Sequence, residues 1–549
     1  MSGGTPSAPT KPHRAVACFH KAAAEYLAET HERFPESASP LGLAKFNSRL
    51  GRNAVGDYRD QNTLVSRVTS EIEALPEAVF RGDDYLDRRG LLADLRTSAV
   101  LDGDFERWRK NPQISVDQAI ESIFDLVVRH SDNLKKVLPA IDSRLTEIPR
   151  YLRNGASALQ KPVPLWTQLA TKSCDGGVEF LRGLEEPLTA ASPHPAGTRK
   201  ALGRAIAALE NYAKVIVKKT PGRTGDFCIG SDALATLVRE RMGFDQSIAE
   251  LEADGWELIA QLRSELKAEA KRGGFRDARS ALDAAAAGWM PDRPLIDEYR
   301  AVTKDIHERL RELDLVTLPE GESLDVLPVP DFLRHHFPTA AYHQPPAFSR
   351  RQVGIFWVND LSLTQTDPKK KRAEISQHFG VELTAAHEAY PGHHLQFAIQ
   401  NRHPSKLRRL FAHAIFYEGW TLWCEKMCAE EGLVRLPQAR LIQLHDALWR
   451  AHRIVIDCGL HTGKLSYGGA VQLLMEGVGF TRRRAQGDVN WYTSSPTVPM
   501  SYLLGRLEVE RLHNHFVGGE GWTLKQFNDW MLSHGAIPWR WIMDARVRG

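Results

Sequence analysis

Apolar residues recur at three- and four-residue spacing along most of the chain. Ile120, Ile123, Phe124, Val127 and Val128 form one such stripe. Leu134, Val137, Leu138, Ile141, Leu145, Ile148 and Leu152 form the next, in which Pro139 and Pro149 predict a kink or an end. Ser115 followed by Gln118 reads as a capping box ahead of the first stripe. Ile248, Leu251, Leu258, Ile259, Leu262 and Leu266 continue the pattern, so the chain from about residue 15 to 310 predicts helices. The segment 315–366 differs. Val316-Thr-Leu-Pro, Leu327-Pro-Val-Pro and Gln344-Pro-Pro place prolines too densely for a helix, and Gly354-Ile-Phe-Trp-Val-Asn359 is the best strand candidate. Helical spacing resumes near 370 and holds to the C-terminus, broken around Gly487–Pro499. The expectation is a mainly α-helical protein with a small β element near 315–366. Residues 1–13 predict a disordered tail, 14–314 a helical region, and 315–549 a second region packed with those helices as one unit.

Composition narrows this picture. The 549 residues are 42% apolar and 25% charged, which excludes a disordered or collagen-like chain. Lys and Arg number 71 against 68 Asp and Glu, a net charge of +3. No global field therefore recruits nucleic acid or an anionic membrane. The six cysteines form no Cys-x-x-Cys pair, and Cys424 and Cys428 read as small core residues on one helix face. The N-terminus lacks the pattern of a secretory signal, and no apolar run reaches about 18 residues. A reduced, cytoplasmic protein is expected. There is no Gly-x-Ser-x-Gly elbow, and Gly459-Leu-His-Thr-Gly-Lys464 is one residue short of a P-loop.

The chemistry concentrates in Leu383-Thr-Ala-Ala-His387-Glu388-Ala-Tyr-Pro391-Gly392-His393-His394-Leu-Gln396. His-Glu late in a helix opens the zincin motif His-Glu-x-x-His, but Pro391 occupies the position of the second histidine. On an unbroken helix His394 would lie about 10 Å further along the axis. Two nitrogens at about 2.0–2.1 Å from one zinc ion cannot be so far apart. A bulge at Pro391-Gly392 that absorbs two residues returns His393 to the ligand position; one that absorbs three selects His394. The first is preferred. A third ligand comes from Phe416-Tyr417-Glu418-Gly419-Trp420-Thr-Leu-Trp423-Cys-Glu425, where two carboxylates share one face of an apolar stretch. One can touch the ion while the other holds an imidazole.

These motifs resemble the DUF885 family, a helical group regarded as zinc peptidases and similar in layout to gluzincins such as the thimet oligopeptidases and thermostable carboxypeptidases. The family pattern His-Glu-x-x-Pro-Gly-His-His-x-Gln stands intact at His387–Gln396, and Glu-Gly-Trp at Glu418–Trp420. The likeness covers roughly residues 130–515, with weaker echoes such as Phe227-Cys-Ile-Gly230. It implies a large zincin-like fold, one zinc ion on His387, His393 and Glu418, and Glu388 as general base. Arg453, Asp457 and His461 match an Arg-x-x-x-Asp-x-Gly-x-His segment and can share one helix face. Pro496-Thr497-Val498-Pro-Met-Ser501-Tyr502-Leu-Leu-Gly505 departs from the family's Pro-Gly-Gln-Ala-x-Ser-Tyr-x-x-Gly by losing Gly-Gln. Tyr502, His461 and Arg453 are the implied donors to a tetrahedral oxyanion. The strand Gly354–Asn359 is a candidate to bind an extended peptide by backbone pairing. The implied activity is zinc-dependent cleavage of a peptide or amide bond. Amide chemistry on an amino-acid-like metabolite and a non-catalytic helical binding protein are the alternatives.

Overall fold

The computed structural model describes residues 13–329 and 339–548. Of the expected tail, residues 1–12 lie outside them, while His13 accepts from the Ala15 amide at the start of the first helix. The architecture is mainly α with one small mixed sheet. A large apolar core runs from Val16 in the first helix to Ala545 in the last. Helices Gln113–Arg129, Leu134–Ala158, Pro164–Gly183 and Pro195–Val217 build a second core of their own. A third joins Trp166 and Phe227 to Ile456, Leu460 and Tyr492. Among the described residues no helix is long and apolar enough to cross a membrane.

The helix Leu134–Ala158 passes through Pro139 and Pro149 without ending. Six of its apolar side chains are buried, Val137 through Leu152. At about 1.5–3 kcal/mol each, their burial outweighs about 3 kcal/mol for each proline. Ser115 does not cap. It lies inside the helix Gln113–Arg129, and its Oγ accepts from Asn53 Nδ2 at 3.0 Å. The Gln113 amide is taken instead by the Asn111 side chain. Near the C-terminus the helix Arg482–Tyr492 runs through Gly487, so the expected break narrows to residues 493–497.

Strands β1 (Glu322–Pro328), β2 (Ala340–His343) and β3 (Gln352–Val358) form a sheet in the order β1-β3-β2. β1 is parallel to β3 and β2 antiparallel. β3, the strand expected to pair with a peptide, is central and bonded on both sides, so its backbone is already used. The open edge near the metal centre belongs to β2. Its Thr339–Asn359 contact and its register place Ala341 and His343 in bonded positions, which turns the polar backbone atoms of Ala340 and Tyr342 outward.

Candidate metal centre

The helix Val381–Glu388 ends immediately after His387 and Glu388, and the helix His393–Gln400 starts afresh. Gly392 makes the return possible. A Cβ there would lie 1.8 Å from the His387 carbonyl oxygen, so only glycine lets the chain fold back this closely. The Pro391 carbonyl accepts from Trp420 Nε1 at 2.9 Å, which ties the turn to the helix Ala414–Glu430. The outcome is the two-residue bulge: His387 and His393 face each other with ring centroids 4.9 Å apart.

Glu418 completes the group. Its Oε2 lies 3.6 Å from His387 Nε2 and 3.7 Å from His393 Nε2. The three candidate ligand atoms lie within 4.8 Å of one another. All three residues are less than a tenth exposed, and Glu418 Oε2 has no hydrogen-bond partner. Two neutral-capable imidazoles and a carboxylate around an unsatisfied oxygen suit a divalent cation. Glu425, seven residues further on, accepts from His387 Nδ1 at 2.7 Å and so aims Nε2 at Glu418. Lys426 pairs with Glu430 and leaves both carboxylates to the site. Burial by itself would lower the His387 pKa, but Glu418 and Glu425 overcome it and push it up to about 10. Burial takes His393 down to about 4 against the pull of Glu418. Burial would likewise raise Glu418, yet the two imidazoles and Tyr502 hold it low. Half-buried Glu388 is pushed up to about 7, chiefly by burial, and its carboxylate meets the Tyr342 backbone amide on β2.

His394 points the other way. Its Nε2 donates to Glu322 on β1, and its Nδ1 accepts from the Tyr342 hydroxyl at 3.1 Å. Tyr390 also donates to Glu322, at 2.8 Å. One histidine of the pair joins the metal group while its neighbour staples two strands to the motif. Glu322 and Tyr342 escaped notice in the sequence because each stands alone in a short, irregular segment.

Tyr502 reaches Glu418 because the helix Val498–His513 crosses Ala414–Glu430 through Gly419 and Gly505. A Cβ on Gly505 would lie 2.2 Å from the Ile415 carbonyl oxygen. The Tyr502 hydroxyl donates to Glu418. Arg453 does not enter the metal group. Its guanidinium lies 4.5 Å from the Tyr502 ring centroid, and Nε donates to the Tyr492 hydroxyl at 2.9 Å. His461 is fully buried, and its Nε2 donates to the Tyr492 carbonyl at 3.1 Å. Asp457 accepts from the Met500 amide. These three side chains thus grip the segment 492–502 and deliver Tyr502. The weak echo around Gly230 packs on the same bracket, its amide donating to the His461 carbonyl.

Residues 35–545 match the family described as "Bacterial protein of unknown function (DUF885)". No curated protein matches the chain. Among solved structures, a "putative lipoprotein of unknown function" from Shewanella oneidensis is 18% identical, with a TM-score of 0.77 over 96% of this chain and 99% of that one. A "putative lipoprotein" from Colwellia psychrerythraea is 16% identical, with a TM-score of 0.74 over 97% of this chain and 98% of that one. At these identities the likeness shows the fold alone.

Proposed function

The chain belongs to the DUF885 family, and we propose that it is a zinc-dependent hydrolase with a zincin-like layout that cleaves peptide or amide bonds. The observation that carries this reading is the buried, unsatisfied Glu418 Oε2 facing two imidazole nitrogens. His387, His393 and Glu418 would hold the ion, with Glu425 fixing the His387 tautomer. When bound, a divalent ion supplies Lewis acidity to water and to a carbonyl. Glu388, next in sequence to His387, takes the proton of the attacking water and returns it to the leaving amine. The Tyr502 hydroxyl, which donates to Glu418 in the resting site, turns its one O–H to the oxyanion during turnover. At the β2 edge the Tyr342 amide is engaged by Glu388, and the remaining outward backbone atoms of Ala340 and Tyr342 offer partners to an extended substrate.

Peptides and amino-acid-like amides are the substrate classes; no nucleic acid or membrane partner is proposed. Each of the two structural relatives is described as a "putative lipoprotein". For this chain, free and mostly buried cysteines favour a reducing, cytoplasmic setting, which fractionation tests. The decisive experiment pairs metal analysis with a peptide-library digest and a metabolite panel on one preparation. Glu388→Gln is expected to keep its metal and lose about 10²–10⁴-fold in turnover. A metal-free wild-type protein, or an active Glu388→Gln, refutes the reading.

A further inference from the structure

We infer that the groove between the helices Leu134–Ala158 and Pro195–Val217 is a binding site for an elongated apolar molecule that carries an acidic group at each end. The inference is independent of the hydrolase reading, because these helices belong to the second core and not to the core of the metal helices.

The two helices run side by side in the same direction. Thr198 Oγ1 donates to Asp142 at 3.0 Å in their N-terminal halves, and the Gly222 amide donates to the Pro162 carbonyl at 2.9 Å just past their C-terminal ends. Between these ties lies a cavity of about 540 Å³. Its facing walls are built from small residues, Ala156 and Ser157 on one helix and Ala207 and Ala208 on the other. Leu152 and Tyr212 are buried and close the floor. The Tyr212 hydroxyl is already used, donating to the Pro112 carbonyl at 2.8 Å. Pro149 and Val215 extend the apolar lining.

The charge on this cavity has one sign. Arg153, Arg204 and Lys219 line it, and no carboxylate does. Among the described residues none of these three cations enters an ion pair. The carboxylates of the two helices are turned to other partners: Asp142 accepts from Thr198, Glu147 pairs with Arg150, and Glu210 pairs with Arg182. Cations without counter-charges over an apolar floor select an anion with an apolar body.

Spacing adds the second acidic group. The Asp142–Thr198 tie sets the register and brings Arg153 about level with residue 209. Arg204, on the opposite wall, is then within about 8 Å of Arg153 along the axis. Lys219 lies about ten residues beyond that level, or about 15 Å. Two guanidinium groups thus mark one end of the groove and an ammonium marks the other. Asn211, between them, adds amide N–H donors.

The test is titration calorimetry on the full-length protein with three probes: dodecanedioate, its monomethyl ester and 1,12-dodecanediol. The diacid is expected to saturate at one molecule per chain. The monoester should bind about 2–5-fold more weakly, the value of one exposed ion pair, and the diol more weakly again. The double variant Arg153→Gln/Arg204→Gln changes only exposed positions, so it should fold as wild type. It should weaken the diacid by at least the same factor and leave the diol unchanged, and Lys219→Gln should weaken the diacid alike. Ala207→Leu fills the groove from an exposed wall position and should abolish binding of all three probes. His393→Ala, which breaks the metal group, should bind the diacid as wild type does. Absence of saturable binding overturns the inference, as does equal affinity for diacid and diol. So does a diacid affinity untouched by the arginine pair. Loss of diacid binding in His393→Ala would place the probe on the metal group and overturn it too.

Discussion

Gly392→Ala probes the backbone fold-back on which the metal group depends. The added Cβ would lie 1.8 Å from the His387 carbonyl oxygen and 2.4 Å from that of Ala386. Ordinary contact starts near 3.4 Å, so the turn must retreat by about 1.6 Å, the difference from 1.8 Å. Both obstructing atoms are backbone, and no side-chain rotation relieves the clash. His393 follows directly, so its ring moves by a comparable amount, whereas ligand distances tolerate about 0.2 Å. Loss of a supporting group alone weakens metal binding about 10–100-fold, and displacing a ligand should exceed that. Metal affinity is measured by chelator competition and metal content by elemental analysis, with thermal unfolding of the metal-free protein alongside. Gly380→Ala is the control, because a Cβ there meets nothing closer than 3.8 Å. A Gly392→Ala protein that binds metal as tightly as wild type refutes the fold-back argument.

The neighbouring histidines should separate cleanly. His393→Ala is expected to lose metal with a small change in stability, and His394→Ala to keep metal while losing about 3 kcal/mol, because Glu322 is left buried without its main partner. Elemental analysis and denaturant unfolding check this, and the opposite pattern would exchange their assignments. Asp94 is raised from 3.8 to about 7 by burial, with Arg241 opposing. Between those values the folded state binds more proton than the unfolded one, so wild-type stability falls as pH rises from about 4 to 7. Asp94→Asn should remove that fall, by about 1 kcal/mol or less since the side chain is half open; parallel pH-stability profiles would expose the error. Thr497 stands at φ +70°, where a β-branched residue is strained by about 1–3 kcal/mol. Thr497→Gly should therefore leave stability unchanged or raise it by about 1 kcal/mol, and a loss of more than 1 kcal/mol in urea unfolding would contradict the strain.

The helical character and the sheet's location were legible because apolar spacing and proline density report backbone preference directly. The metal group was legible for a different reason: histidines and carboxylates set in apolar sequence need a shared partner, and the Pro-Gly pair marks where the helix must break. Its departures were tertiary. Pro139 and Pro149 are carried inside one helix by the burial around them, and Ser115 is claimed by Asn53, a residue distant in sequence. β1 and β2 lack a strand pattern because one carries charge and proline and the other has four residues.

The helix Ala439–Thr462 carries the segment Arg453–His461, which acts on Tyr502 through residues 492–502. Residues 453, 457 and 461 share a face, and each takes a different handle on residues 492–502: a tyrosine hydroxyl and ring, a helix-start amide, and a carbonyl. Removing any one still leaves the other two on the segment, so each loss should loosen Tyr502 rather than release it. The Thr497 turn lies inside this grip, and the Pro496 carbonyl accepts both from Thr497 Oγ1 and from Arg241 Nη1. Thr497 thus supplies a second donor at the backbone carbonyl that Arg241 Nη1 also holds.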